Sequence, residues 1–403
     1  MKPLNYYFIA SGAWFMAYGI QSVIFAWLVT MVLQQPADKV GIAQMAFLLP
    51  ALFLMLVGGG LSDHFGGRRI AIIGHIIAVS APSLLVLLIV TDALTYGGVI
   101  AFAIIMGCAQ ALVTPARDGL LAVVADGKIQ RRVVQASMIQ FGVQMVGFMC
   151  ASMADQLGAI VVLSLQASML ACGIGAYLLM DLTHEAPAAS ELHLVRQITR
   201  SITEGFNTVR RSRFMVPVVI QNCAMGAFFM GSYIVTIPLL IRESFAGGSP
   251  ELSWVNTANS LGLVITIFVL LKTGDIRRQG RALLLAQAFG AFMLATGALA
   301  AEFWQLALSI FLWGLGGGIA MTMSRTIMQE QAPVSQRSRI MAFYSFSFMG
   351  SGPVGALLSG YLVSWFGPAR ALVISSFSML TVVIIVSLTT HLWSLGTEQP
   401  EMN

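Results

Sequence analysis

Twelve stretches of 20 or more residues contain no Asp, Glu, Lys or Arg, and they constrain the fold of this chain more than any other feature. A helix needs about 20 apolar residues to cross the hydrocarbon core of a bilayer. A charge near the centre of such a helix costs about 2.5–3.5 kcal/mol on insertion scales. The stretches therefore predict an all-α polytopic membrane protein with twelve transmembrane helices, not a large soluble helical protein. They cover residues 3–37, 40–62, 70–91, 93–116, 133–154, 156–180, 214–241, 252–271, 282–301, 303–324, 340–369 and 371–397.

The basic residues are distributed unevenly among the joints between these stretches. If the N-terminus is cytoplasmic, all of the 22 Lys and Arg residues except Lys39, Arg242 and Arg370 fall on the cytoplasmic side. The positive-inside rule predicts this bias. We therefore expect a multi-pass protein of the cell (inner or plasma) membrane with both termini in the cytoplasm. The net charge of +5 then reflects membrane orientation and requires no nucleic-acid partner.

The longest polar stretch divides the chain into two similar halves. We expect a six-helix bundle over residues 1–180, a cytoplasmic linker with a basic amphipathic helix over 181–213, and a second six-helix bundle with a short cytoplasmic tail over 214–403. "DHFGGRR" at 63–69 has a weaker echo in "DIRRQGR" at 275–281. A duplicated six-helix unit predicts two pseudo-symmetric bundles, with a substrate path on the axis between them.

The segment "GGLSDHFGGRR" at 59–69 resembles the signature between helices 2 and 3 of the major facilitator superfamily, G-x-L-x-D-x-x-G-R-[RK]. Gly67 stands where a basic residue is usual, and Arg69 can substitute for it. The segment 332–360 is similar to the subgroup that includes enterobactin exporters and macrolide-efflux proteins. The matching residues are Gly59, Leu61, Asp63, Gly66 and Arg68.

The resemblance implies that this segment is a conformational latch on the cytoplasmic side. In the superfamily the aspartate, here Asp63, faces the N-terminal end of helix 11 in the other half, and the arginines add contacts between the halves. The alternative is a short loop whose arginines only set membrane orientation. Arg117 is either a membrane anchor or part of the same charge network. The predicted latch residues are Gly59, Asp63, Gly66, Arg68, Arg69, Arg117 and Asp118.

Helix 11 carries the run "GSGPVG" at 350–355, which interrupts its helical pattern. Gly352, Pro353 and Gly355 are expected to provide either a kink used in rocking or a close-packing surface. At the predicted outer helix ends, Asp155 and Glu302 are interpreted as solvated helix caps.

Polar and aromatic side chains recur at helical spacing on one face of several stretches. Because polar side chains avoid lipid, we expect them to face the bundle interior or a wet cavity. Hydrogen bonding between helices is the alternative for individual positions. The predicted substrate-cavity residues are Trp14, Tyr18, Gln21, Gln110, Gln140, Gln144, Asn222, Tyr233, Asn256 and Asn259.

The sequence contains no nucleophile–base pair, zinc-ligand spacing or G-x-x-x-x-G-K-[ST] phosphate loop. We therefore expect neither an enzyme nor direct use of ATP, and no metal or cofactor. The expected partners are a small-molecule substrate and the lipid bilayer, with the protein as a monomer. Whether transport is coupled to a proton stays an open question, since His75 is the only ionisable side chain well inside a stretch. A packing histidine is the alternative reading of His75.

A cavity without fixed charge at mid-depth favours a bulky, amphipathic, mostly neutral solute. We therefore predict a secondary transporter that exports a small amphipathic molecule, such as a siderophore or an antibiotic, by alternating access. The direction of transport rests on the subgroup resemblance. The alternatives are uptake, lysolipid flipping by the same fold, and a membrane receptor or assembly partner that does not transport.

Overall fold

The computed structural model describes residues 2–125, 129–181, 206–273, 276–333 and 337–395. Within these ranges, twelve helical segments are long and apolar enough to cross a membrane, and no residue is in a strand. The predicted all-α fold class with twelve transmembrane helices is confirmed. Most of the linker predicted over 181–213 lies outside the described residues, although 206–211 are helical.

The helices follow the uncharged stretches closely. The first half of the chain forms α1 (Pro3–Trp27), α2 (Ala37–Phe65), α3 (Gly67–Val90), α4 (Tyr96–Val124), α5 (Ile129–Ala151), the short α6 (Ala154–Leu157) and α7 (Ala159–Leu178). The second half forms α8 (Met215–Ala224), α9 (Ile237–Phe245), α10 (Ser249–Thr273), α11 (Gln279–Ala298), α12 (Phe303–Gln331), α13 (Arg337–Phe366), α14 (Pro368–Thr389) and a 3₁₀ turn at His391–Ser394.

Single glycines with positive φ separate several consecutive helices. Gly66 lies between α2 and α3 with φ of 89°, Gly158 between α6 and α7 with φ of 82°, and Gly367 between α13 and α14 with φ of 79°. Side chains with a Cβ rarely adopt this region, so glycine allows one helix to end and the next to begin within one residue.

Three π-helical segments interrupt the first and seventh spans. Leu28–Val32 continues α1, while Met225–Met230 and Ser232–Thr236 connect α8 to α9. A π-helical turn shifts the backbone hydrogen bonds by one residue, re-aims the side chains that follow, and occurs frequently at functional sites. The segment in the first span lies at its end, whereas the two in the seventh span lie near its middle.

Unit 1 comprises Met1–Leu194 together with Ala246–Asn256. Its helices pack as α2 on α4, α1 on α5 and α7, and α3 on α4 and α7. Gly58 of α2 lies against the carbonyl oxygen of Ala111, and Gly19 of α1 against that of Gln144, so any side chain there would collide with backbone. Small residues at such contacts allow membrane helices to pack closely.

Unit 2 comprises Val195–Phe245 and Thr257–Asn403. In it α11 packs on α12 and α14, and α13 packs on the irregular seventh span. Gly231 lies against the carbonyl oxygen of Gly355, and Gly226 against Ser351. Residues 246–256 group with the first unit.

Candidate functional site

The predicted latch segment joins α2 to α3 through Gly66, whose positive φ requires glycine. At the next residue, a Cβ on Gly67 would lie 3.1 Å from both the carbonyl oxygen of Ala116 and Cγ of Leu120. This tight contact with α4 favours glycine over a larger side chain at this position. The side chain of Asp63 lies outside the described part of the chain.

Arg68 makes two hydrogen bonds within unit 1. Its Nε donates to the carbonyl oxygen of Tyr177 and its Nη2 to that of Leu178, each at 2.8 Å. These carbonyls end α7, where a cation complements the helix dipole. Arg68 therefore anchors α3 to α7 within unit 1. Arg69 is exposed.

Arg117 is buried, with only 8% of its surface exposed. Its guanidinium lies 4.4 Å from the centre of the Phe15 ring, and its Nη2 lies 3.2 Å from Asp118 Oδ1. Its Nη1 has no hydrogen-bond partner among the described residues. Because an anchor to lipid headgroups must be exposed, the burial of Arg117 favours the charge-network interpretation over the anchor.

His75 is a fully buried side chain between two aromatic rings. Its ring centre lies 5.0 Å from that of Trp14 and 5.2 Å from that of Tyr177. Nδ1 lies 2.8 Å from the carbonyl oxygen of Ala71, so Nδ1 donates a hydrogen bond to it. This packing supports the structural interpretation of His75. It also places Trp14, a predicted cavity residue, in the interior of unit 1.

The predicted cavity residues of unit 1 differ in how deeply they are buried. Gln21 is 3% exposed, and its Oε1 lacks a hydrogen-bond partner among the described residues. A buried amide oxygen without a partner is costly, so it requires water or a ligand. Its neighbour on α1, Tyr18, is half-buried, as are Gln110 on α4 and both Gln140 and Gln144 on α5.

Two of the three asparagines predicted to line the cavity make hydrogen bonds between or within helices. The Nδ2 of Asn222 donates to the carbonyl oxygen of Tyr344 at 2.9 Å and to Ser347 Oγ at 2.8 Å, both on α13. Asn256 Nδ2 donates to the carbonyl oxygen of Leu252 in its own helix at 2.7 Å. Asn259 is half-buried. Asn222 therefore holds α8 to α13, as the alternative of interhelical hydrogen bonding predicts.

An aromatic cluster lies where the π-helical segments of unit 2 face α12. Trp313 contacts Phe229 edge-on, with ring centres 5.7 Å apart, and Tyr233 at 5.4 Å. A Cβ on Gly290 would lie 3.1 Å from the Trp313 ring, so glycine leaves room for the indole. Tyr233 is half-buried, whereas Phe229 and Trp313 are buried. The sequence prediction identified Tyr233 for the cavity but not Trp313.

The glycine–proline run of α13 is a packing surface. The helix continues through Pro353 to Phe366, and a side chain on Gly355 would come within 2.5 Å of the carbonyl oxygens of Gly226 and Ala227. Gly352 and Pro353 are buried. These contacts favour the packing alternative for this run.

Asp155 is the centre of a hydrogen-bond cluster in unit 1. Its Oδ1 accepts a hydrogen bond from Trp27 Nε1 at 2.7 Å. Its Oδ2 accepts the backbone N–H of Ser249 at 2.7 Å and lies 3.0 Å from Ser249 Oγ. The N–H of Asp155 donates in turn to Ser249 Oγ at 3.1 Å. The carboxylate therefore caps the first turn of α10, where an anion complements the helix dipole.

This cap differs from the solvated cap that the sequence predicted at Asp155. Asp155 itself is exposed, but Ser249 is fully buried and Trp27 is 8% exposed. A side chain on Gly248 would collide with Asp155 Oδ2. Only the first residues of α10 belong to unit 1, and Thr257–Thr273 belong to unit 2. At the other predicted outer cap, Glu302 does cap its own helix, α12.

Sequence reasoning missed the Asp155 cluster because its partners are far apart along the chain. Ser249 follows Asp155 by 94 residues, and Trp27 precedes it by 128. Two signals were available in the sequence. One is the acid Asp155 at a helix end, and the other is "GGSPE" at 247–251, a typical helix start on the same predicted side of the membrane. Trp313 also left a signal, since four glycines follow it at positions 314, 316, 317 and 318.

Comparisons with known proteins agree with this architecture. A family model described as "transmembrane secretion effector" matches residues 5–399. The multidrug efflux pump Tap of Mycolicibacterium fortuitum is 25% identical over 376 residues, which cover 91% of this chain and 90% of Tap.

Solved transporters share the fold at low sequence identity. The nucleoside transporter NupG superposes with a TM-score of 0.74 at 13% identity, covering 96% of this chain and 99% of NupG. A POT family transporter in complex with 5-aminolevulinic acid gives 0.75 at 12% identity, covering 96% of each chain. The family match over nearly the whole chain shows that the protein is a multi-pass membrane transporter and not an enzyme. The chain belongs to the transmembrane secretion effector family of the major facilitator superfamily.

Proposed function

We propose that this protein exports a small amphipathic molecule across the cell membrane by alternating access. The proposed direction of transport rests on the similarity to Tap, an efflux pump, over nine-tenths of both chains. An alignment of this length includes the helices of both halves, so it is more than a shared local motif.

The described side chains support a substrate that is mostly neutral and partly aromatic or apolar. Phe229, Tyr233 and Trp313 offer an aromatic surface, and Gln21 offers an amide oxygen without a partner among the described residues. Binding sites for small molecules combine a mainly apolar lining with a few placed polar groups. Because the spans lack acids at mid-depth, the site has little to select for a cationic substrate.

Alternating access requires contacts at each membrane face that form in one state and break in the other. We assign the predicted cytoplasmic contact to the latch segment at 59–69. We assign the contact at the opposite face to Asp155, Trp27 and Ser249, since they lie at helix ends on the same side as the joint between α1 and α2. Release of Asp155 frees the first turn of α10.

Accumulation in cells with and without the protein tests the function directly. Export predicts lower steady-state accumulation of at least one compound among siderophores, macrolides and lysolipids in cells that carry the protein. A variant with the aromatic cluster removed, Trp313→Ala with Tyr233→Ala, should lose the effect at similar membrane abundance. Higher accumulation would indicate uptake, and movement of lysolipid between leaflets would indicate flipping. No change for any compound would favour a receptor.

The membrane orientation gives a second expected result. A single cysteine at position 200 in a variant without Cys108, Cys150, Cys172 and Cys223 should react with an impermeant thiol reagent only after the cells are opened. The physical reason is the concentration of basic residues in the joints on that side. Labelling at position 200 in intact cells would contradict the proposed orientation.

The predicted cavity glutamines give a third expected result. Gln21→Ala and Gln144→Ala should each weaken substrate binding about three- to tenfold, because one hydrogen bond contributes about 0.5–1.5 kcal/mol. Binding to purified protein measures the effect. Asn222→Ala is the control, since its amide holds α8 to α13 and its loss should lower the melting temperature. If the glutamine variants lose stability and keep their affinity, these amides are structural.

A further inference from the structure

A groove on unit 2 lies between α11, α14 and the 3₁₀ turn at His391–Ser394. Its volume is about 250 Å³, which is below the roughly 300–1,000 Å³ of pockets for drug-sized ligands. Leu285, Ile384 and Leu388 are exposed at its rim. An apolar groove of this size accommodates a narrow apolar chain. Its lining includes Leu284, Leu285, Leu380, Ile384, Leu388 and Trp393.

One end of the groove carries positive charge. Arg281 donates from Nε to the carbonyl oxygen of Trp393 at 3.1 Å, and its guanidinium lies 5.5 Å from the centre of the Trp393 ring. This contact holds the arginine directly beside a lining residue. Arg277 and Arg278, just before α11, are exposed. Tryptophan and arginine together are typical of the interface between membrane and water.

The N-terminal end of α11 adds a second source of positive potential at this end of the groove. Arg278 is the N-cap residue, its side chain makes no capping hydrogen bond, and the first turn contains no acid. The positive end of the helix dipole therefore lacks a side-chain anion within its own first turn. The nearby carboxylate of Glu330 accepts hydrogen bonds from Gln279 Nε2 at 3.0 and 3.1 Å.

Close packing fixes this arrangement. Gly280, in the first turn of α11, lies directly against the carbonyl oxygen of Leu392, and any side chain there would collide with it. The glycine therefore seats the 3₁₀ turn on the start of α11. Trp393 is thereby placed between the arginine and the groove.

We propose that this site binds an anionic phospholipid, with one acyl chain in the groove and the phosphate beside Arg281. The apolar lining selects the chain, and the arginines with the uncapped helix start select the negative headgroup. Clusters of basic residues beside membrane helices attract anionic lipids in this way. The site lies on the face that we expect to be cytoplasmic, where the lipid is a structural ligand and not the transported molecule.

The test uses the whole protein in nanodiscs that contain either phosphatidylcholine alone or phosphatidylcholine with phosphatidylglycerol. Bound lipid is counted by native mass spectrometry after extraction, and the melting temperature is measured in parallel. The wild type should retain phosphatidylglycerol preferentially and melt at a higher temperature with it. Arg281→Gln should reduce that retention about fivefold, the effect expected for one arginine near an anionic headgroup.

Arg370→Gln is the matched control, because Arg370 is an exposed arginine at the start of α14, on the opposite membrane face. It should leave the preference unchanged. Ser387→Phe fills the groove and keeps Arg281, so it should also lose the preference, and it replaces Arg281→Gln if that variant fails to fold. Soluble glycerol phosphate should not raise the melting temperature.

Three results would overturn the proposal. They are equal retention of both lipids by the wild type, an equal loss in Arg370→Gln, and stabilisation by glycerol phosphate alone. The last result would assign the site to free phosphate. Binding in this assay depends neither on transport nor on membrane orientation, so its failure leaves the proposed function intact.

Discussion

Asp155→Asn is expected to shift the protein about five- to thirtyfold toward the state that is open on the predicted outer side. Asn has one acceptor oxygen, so its amide NH₂ must face either Trp27 Nε1 or the Ser249 N–H, both of which are donors. The variant also removes the anion from the start of α10. Charge-assisted contacts at a partly buried helix start contribute about 1–2 kcal/mol. This energy corresponds to a change of about five- to thirtyfold in the ratio of the outward-open to the inward-open state. Spectroscopic distances between labels on the outer helix ends measure the shift.

Glu302→Gln is the matched control for Asp155→Asn. Glu302 is also an acid at a predicted outer helix end, but it caps its own helix, so removing its charge should not change the ratio. Gly248→Ala should shift the ratio in the same direction as Asp155→Asn, because the added methyl group displaces the carboxylate. An unchanged ratio in both Asp155→Asn and Gly248→Ala would show that this cap is only structural.

Asp63→Asn is expected to shift the ratio in the opposite direction, toward the state open to the cytoplasm. We propose, from the resemblance to the superfamily, that the Asp63 carboxylate complements the start of another helix; such a contact contributes about 1–2 kcal/mol. The expected shift is again about five- to thirtyfold. Transport should fall steeply, while substrate binding to the favoured state persists. Transport rates and binding affinities measured on the same preparation separate these effects.

Glu330→Gln is the control for Asp63→Asn. Glu330 is an exposed acid on the same predicted face, and its carboxylate contacts Gln279 within unit 2. Its loss should leave the ratio unchanged. If the segment at 59–69 only sets orientation, Asp63→Asn should be silent as well, because acids contribute little to topology. Normal transport by Asp63→Asn would therefore contradict the proposed role of this segment as a latch.

The twelve spans could be predicted because span length and the absence of charge are properties of a continuous segment. The uncharged stretch 40–62, for example, lies within α2, Ala37–Phe65. The π-helical segments could not be predicted in this way. Leu28–Val32 and Met225–Met230 are apolar runs like any other in these spans. A π-helical segment differs from an α-helix by a shift of one residue in its backbone hydrogen bonds, and the amino-acid composition does not reveal that shift.

The candidate site was predicted less completely than the fold, and the reason is geometric. Helical spacing identifies the face on which Asn222 lies, but not whether that face meets water or another helix. The structure places its amide on α13. Arg68 matched the superfamily signature, yet its hydrogen bonds end on α7. Asp155 was interpreted as a local cap because its partner Ser249 is 94 residues away.

Distance distributions across both membrane faces, recorded for the wild type, Asp155→Asn, Asp63→Asn and the double variant, test the central claim that two opposed contacts govern alternating access. The account predicts that Asp155→Asn widens the outer side, that Asp63→Asn widens the cytoplasmic side, and that the double variant returns close to the wild-type ratio. Independent contacts of similar strength should offset each other in this way. If both single variants shift the distances in the same direction, or neither shifts them while transport stays normal, the claim is contradicted.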